Sequence, residues 1–126
     1  MSTTLVDPGA HRDRSHECEE QFKRRRAREV AALLDDALVA EHAANPLGCG
    51  GRSLPLQHVH NFLTAQPIEA VYCTSPRPGS RWAIVRTPRG GPPLVVGDAD
   101  GYEAARHAIF LRQVAELRAF AEASDA

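Results

Sequence analysis

Apolar side chains first gather at helical spacing between about Ser15 and Ala44. Phe22, Val30, Leu33, Leu34, Ala37 and Leu38, with Glu41 on the same face, recur every three or four positions. The pattern predicts one long helix. Ser15 suits its N-cap, and Glu17, Glu19 and Glu20 suit the positive end of its dipole. Asn45–Pro46 ends it, because a residue before proline is pushed out of the helical region. A glycine-rich turn, LGCGGRS over 47–53, follows. Ser53 then reads as a second N-cap, with Pro55 tolerated in the first turn of a short helix to about Ala65 that Pro67 closes.

Helical periodicity now gives way to β-branched and aromatic runs. EAVYCTS (69–75) and RWAIVRT (81–87) predict two strands joined by the turn PRPGS, and Pro88–Pro93 turns the chain into a short third strand, Leu94–Val96. Asp98 or Asp100 is expected to cap a final helix from about Gly101 to Ala123. The order is that of an α+β domain: two N-terminal helices, a three-stranded antiparallel meander and a C-terminal helix. The polar stretch 1–14 reads as a flexible or partner-ordered tail, leaving 15–126 as a single domain.

The final helix is apolar around much of its girth. Ala104, Ala108, Leu111 and Ala115 lie on one side, Phe110, Val114, Leu117 and Ala121 on a second, and Tyr102, Ala105, Ile109 and Phe120 on a third. A three-stranded sheet cannot cover all of that surface, so either the other helices wrap it or a second chain does. A partner seated on Phe110, Val114 and Leu117 is the expectation.

Bulk properties narrow the function without naming it. A chain of 126 residues holds one core, and a net charge of −1 supplies no field that recruits nucleic acid or an anionic membrane. No apolar run approaches the ~20 residues of a membrane span, and the polar N-terminus lacks a secretory signal. Cys18, Cys49 and Cys73 are too few and scattered for a disulfide framework, which favours a reducing, cytoplasmic setting.

Candidate chemistry is sparse. His58 and His60 form a His-x-His pair, but on a helix their side chains diverge by about 200°. Adding His42 and Cys49 gives four nominal zinc ligands at a spacing that matches no finger or ribbon. Barrel hydrolases that use His-x-His need at least about 200 residues, more than this chain has. Cys73 lies mid-strand, where it is expected to face the core or a partner, and Cys49 has no identifiable base beside it. GCGG (48–51) does not follow a strand and is explained by turn chemistry. The basic run Lys23 to Arg28 spreads around its helix rather than along one stripe. Arg24, Arg25, Arg26 and Arg28 therefore suit a protein interface better than a phosphate backbone.

Two segments carry more than composition. EHAANPLG (41–48) and LQHVHNFLTAQP (56–67) resemble the small subunit of N,N-dimethylformamidase, an amide hydrolase. RDRS (12–15), FKRRRAREV (22–30) and HAIFLRQVAELRA (107–119) are similar to the same family in the same order, so the resemblance spans roughly residues 12–120. The turn PRPGSRW (76–82) and the run GCGGRS (48–53) depart from it. The resemblance implies a hetero-oligomer. Its large catalytic subunit bears a mononuclear iron that activates water for attack on the formamide carbonyl, giving formate and dimethylamine. The small subunit contributes no catalytic residue, metal ligand or cofactor of its own, so His58 and His60 are not iron ligands on these grounds. His42, Asn45, His60 and Asn61, which carry the resemblance most specifically, join the four arginines and Phe110, Val114 and Leu117 as candidates for the subunit interface.

A second class stays open. WAIVRTPRGG and GDADGYEAARHAIF (82–110) more distantly resemble three-stranded DNA-binding domains of the AP2 type, in which Arg77, Arg81, Arg86 and Arg89 would read the major groove from the sheet. Two preceding helices have no place in that fold.

Overall fold

In the computed structural model of the chain, which describes residues 8–65 and 70–123 (side chains from Glu17 on), the first predicted helix is broken in two. Helix α1 spans Pro8–Leu33 and α2 spans Asp36–Ala44. Asp35 causes the break: its backbone is extended (φ −136°, ψ 178°), and its carboxylate accepts the Leu38 N–H at 2.9 Å, so it caps α2. Ser15 lies inside α1 rather than at its cap, because the helix starts at Pro8. Residues 1–7 of the expected tail, Pro67 and Glu69 lie outside the described residues.

The other helix boundaries follow the sequence. Asn45 leaves helical geometry (φ −149°, ψ 68°) ahead of Pro46, while its N–H still reaches the carbonyls of Glu41 and His42 at 3.2 Å. Helix α3 spans Leu54–Ala65, with Ser53 Oγ accepting the Leu56 N–H at 3.3 Å. Strands β1 (Ala70–Pro76), β2 (Arg81–Pro88) and β3 (Leu94–Asp100) form an antiparallel sheet in the order β1-β2-β3. Helix α4 runs from Tyr102 to Ala123.

Strand β3 is longer than predicted and absorbs both aspartates offered as caps. Asp98 pairs with Ala83 and Asp100 with Arg81, so the chain turns at Gly101 instead. A bulge between Ile84 and Val85 leaves Val96 out of register. The carbonyl of Val96 is taken by Arg112 Nη2 at 2.6 Å. Gly97 permits that approach: a Cβ there would stand 3.4 Å from Arg112 Nη2 and 3.7 Å from Ile84 Cδ1.

Helix α4 is the central element, in contact with α1, α2, α3 and all three strands. The side of Phe110, Val114, Leu117 and Ala121 is therefore covered by the chain itself, which corrects the expectation of a partner seated there, while Ala104, Leu111 and Ala115 on another side are exposed. Phe110, Val114 and Leu117 are only 2%, 3% and 0% exposed, in a core with Ala27, Val30, Leu34 and Leu38 and with Leu56, Val59 and Leu63. Each large side chain so buried contributes roughly 1.5–3 kcal/mol. Phe22 and Leu33, expected on the buried face of the first helix, are exposed, whereas Val30, Leu34 and Leu38 are buried as expected and Ala27 joins them.

The sheet is sided. Tyr72, Ile84 and Arg86 point to α4, so Val71, Cys73, Val85, Thr87 and Val95 point the other way. Val71 is 55% and Val95 59% exposed, and Cys73 is exposed, which leaves a partner but not the core among the two surroundings expected for it. No described helix is long and apolar enough to cross a membrane.

Candidate functional site

The turn between α2 and α3 is held at both ends by side chains of the motif that begins at Glu41. The Glu41 carboxylate accepts the Ser53 N–H at 2.8 Å and the Ser53 hydroxyl at 2.6 Å, bonds that hold its pKa below the ordinary value. Four residues on, Asn45 donates from Nδ2 to the Cys49 carbonyl at 2.8 Å and accepts the Cys49 N–H at 3.1 Å. The run that reads as a signature is thus largely a loop clamp. Arg52 completes it by folding back to donate to the Pro46 carbonyl at 3.3 Å. Its guanidinium fills the space beside Gly48, where a Cβ would stand 2.5 Å from Cζ. Gly48 also has φ +71°, which favours glycine.

A histidine cluster lies behind this loop. His42 is 2% exposed and stacks on Phe110, ring centroids 3.9 Å apart and planes at 7°. Its Nδ1 meets Nδ1 of His107 at 2.8 Å. One of the two must donate and the other accept, so the contact requires that at least one Nδ1 carries no proton. Burial, with the charges of His107, Arg52, His60 and Arg106, pushes the His42 pKa down to about 4. Burial likewise lowers His60, helped by Arg52 and Arg106, and burial lowers His107. Burial first, and the charges of Arg52 and Arg106 after it, disfavour the protonated form of His42 and His60.

Of the expected interface residues, the structure brings His42, His60 and Phe110 together, with Asn45 at the edge. Val114 and Leu117 belong to the core. Asn61 is exposed and accepts from Gln57 Nε2 at 2.7 Å. Arg24 lies over the Phe120 ring at 5.5 Å from its centroid. Arg26 pairs with Glu29 at 3.1 Å and donates to His58 Nε2 at 3.2 Å. Arg25 and Arg28 are exposed on α1. His107, Arg52 and Arg106 went unnoticed in the sequence because they lie far from the motif along the chain or outside it. The one available signal was the i, i+3 spacing that puts His107 and Phe110 on one face of a helix.

Among the described residues no group of three or more His, Cys, Asp and Glu could hold a metal ion. The DNA-binding reading loses its surface. Arg86 and Trp82 face α4, with Arg86 Nε on Glu116 at 2.7 Å and Trp82 edge-on to Tyr102 at 5.0 Å. Arg81 is neutralised by Asp98 at 2.8 Å. On the open sheet face Arg77 and Arg81 stand at one end beside Asp98, and Val71, Val85 and Val95 occupy the rest, so no row of cations runs along it.

The sequence profile of the N,N-dimethylformamidase alpha subunit matches residues 17–124. The chain is 35% identical over 119 residues to the N,N-dimethylformamidase alpha subunit of Alcaligenes sp, covering 90% of each chain. It is 33% identical over 120 residues to that of Paracoccus aminophilus, covering 90% of this chain and 85% of the relative.

Proposed function

Because the chain belongs to the N,N-dimethylformamidase alpha-subunit family, we propose that it is the small, non-catalytic subunit of a hetero-oligomeric amide hydrolase. Its work is to bind a larger chain that carries the reacting groups and the iron, and to support that chain's fold. The observation that carries this reading is the uncovered sheet face. Val71, Val85 and Val95 form an aliphatic surface on the side of the sheet away from α4, in a chain whose relatives are named as subunits. The reading also keeps the chain in the cytoplasm, in line with three unpaired, exposed cysteines.

Purification of this chain alone, and after co-expression with a large subunit of an N,N-dimethylformamidase, tests the proposal. The complex should release dimethylamine from N,N-dimethylformamide, and its iron should remain with the large chain on separation. Turnover or stoichiometric iron in the isolated small chain would overturn the assignment.

A further inference from the structure

We infer that the larger subunit adds an extended strand of its own to the free edge of β1, beside the open valine face. The inference rests on the subunit reading above and names how that surface is used. In an antiparallel pair, opposed residues alternate between those that exchange hydrogen bonds and those that do not. The Arg77 N–H donates to the Arg81 carbonyl at 2.8 Å, which places Arg77 in the bonded set. In the same register Val71, Cys73 and Ser75 bond to β2. The N–H and C=O groups of Tyr72 and Thr74, with the carbonyl of Pro76, therefore point outward. Among the described residues none pairs with these groups.

The opposite edge of the sheet is guarded. The Gly101 N–H donates to the Ser80 carbonyl at 3.2 Å, and the same alternation makes Asp98 and Asp100 the outward positions of β3. The bulge at Val96 interrupts that edge, and Arg112 takes the Val96 carbonyl at 2.6 Å. Charges and bulges keep an edge from pairing with another chain. Strand β1 has neither: its seven residues, AVYCTSP, are uncharged and in unbroken register, and its one proline stands at the end. Alternating donors and acceptors of this kind are matched by an extended segment.

The open face decides which body supplies it. Val71 and Cys73 belong to β1 and lie on that face, so edge and face adjoin. An added strand by itself covers a ribbon about 23 Å long and about 5 Å across, well short of the roughly 1,000 Å² that a stable interface buries. A second copy paired edge to edge adds little more. A twofold axis normal to the sheet sets the two valine faces side by side, looking the same way, and covers neither. The larger subunit covers edge and face together.

Amide hydrogen exchange, resolved to single residues in the free chain and in the co-expressed complex, tests the inference. In the free chain Tyr72 and Thr74 should exchange fast, while Cys73 and Ser75 between them are protected by β2. In the complex Tyr72 and Thr74 should slow by at least about a hundredfold, with Asp98 and Asp100 unchanged. Thr74→Pro removes one outward N–H at a position where an edge strand tolerates proline, and Thr74→Val keeps it. Affinity for the larger subunit should fall by about tenfold or more for the first and hold for the second. Thermal melts of both free variants confirm that they fold; if Thr74→Pro does not, the exchange pattern decides alone. An intact complex in which Tyr72 and Thr74 still exchange fast would overturn strand addition and leave the valine face as the contact. Slowing in the free chain that grows with its concentration, with a dimer on gel filtration, would overturn the larger subunit as the occupant in favour of a second copy. If the subunits do not associate at all, the subunit reading falls and this inference with it.

Discussion

His42 and His107, 65 positions apart in the chain, share a 2.8 Å hydrogen bond between their Nδ1 atoms while His42 lies flat on the ring of Phe110. The pair joins the end of α2 to the second turn of α4, and burial disfavours charge on both rings. That makes it the element of the fold most exposed to acid.

Stability should therefore fall between pH 6.5 and pH 4. The His42 pKa drops from 6.5 to about 4 on folding, so within this window the unfolded chain binds more protons than the folded one. The contribution is intact above pH 6.5 and is lost as pH falls towards 4, amounting to roughly 2–3 kcal/mol. His60 and His107 shift in the same direction and add to it. Urea titrations across this range should show the slope, and His42→Phe, which keeps the stack on Phe110, should flatten it. An unchanged slope in that variant would remove His42 as the cause.

Leu117→Ala should cost about 2–5 kcal/mol, because the side chain is fully buried between α4 and its neighbouring helices and leaves a cavity. Leu111→Ala, one turn and a half away on the same helix but 43% exposed, should cost far less. Equal losses in chemical denaturation would mean that α4 is not wrapped by its own chain.

Gly48→Ala should destabilise by about 1–2 kcal/mol for the positive φ alone, with a further loss as Arg52 is displaced. In the background of Arg52→Ala the added loss should vanish while the backbone cost stays. A double-mutant cycle reads the difference, and simple additivity would show that Arg52 and Gly48 are uncoupled.

Val71→Lys combined with Val95→Lys should leave the melting temperature of the free chain within a degree or two, since both side chains are exposed on the open sheet face. The same change should abolish association with the larger subunit, because two uncompensated charges would be buried in the contact. Retained association, read by gel filtration, would move the interface off the sheet.

The ion pairs should divide by burial. Glu116→Ala strips the acceptor from both Arg86 and the Tyr72 hydroxyl, 2.7 and 2.6 Å away between sheet and helix, and should lower the melting temperature by several degrees. Asp98→Ala breaks an exposed pair with Arg81 and should change it little. Matching shifts would deny the inner pair its structural role.

What was legible in the sequence is local. Asn45–Pro46, Ser53–Pro55 and the β-branched runs act through dihedral limits and caps that need only their neighbours, so the element order, the strands and the α3 cap could be read along the chain. Asp35 could have been read in the same way, since an aspartate ahead of an apolar run is a cap signal, but the continuous apolar spacing across it concealed the break. Long-range relationships were not legible. Apolar spacing marks Phe110, Val114 and Leu117 as side chains that must be buried, but burial is non-directional and does not say against what; the chain's own α1 and α3 settle that. The contacts of His42 with His107 and Phe110 exist only once α2 and α4 converge. Hydrogen bonds and charge repulsion act over a few ångströms of space, whatever the distance along the chain.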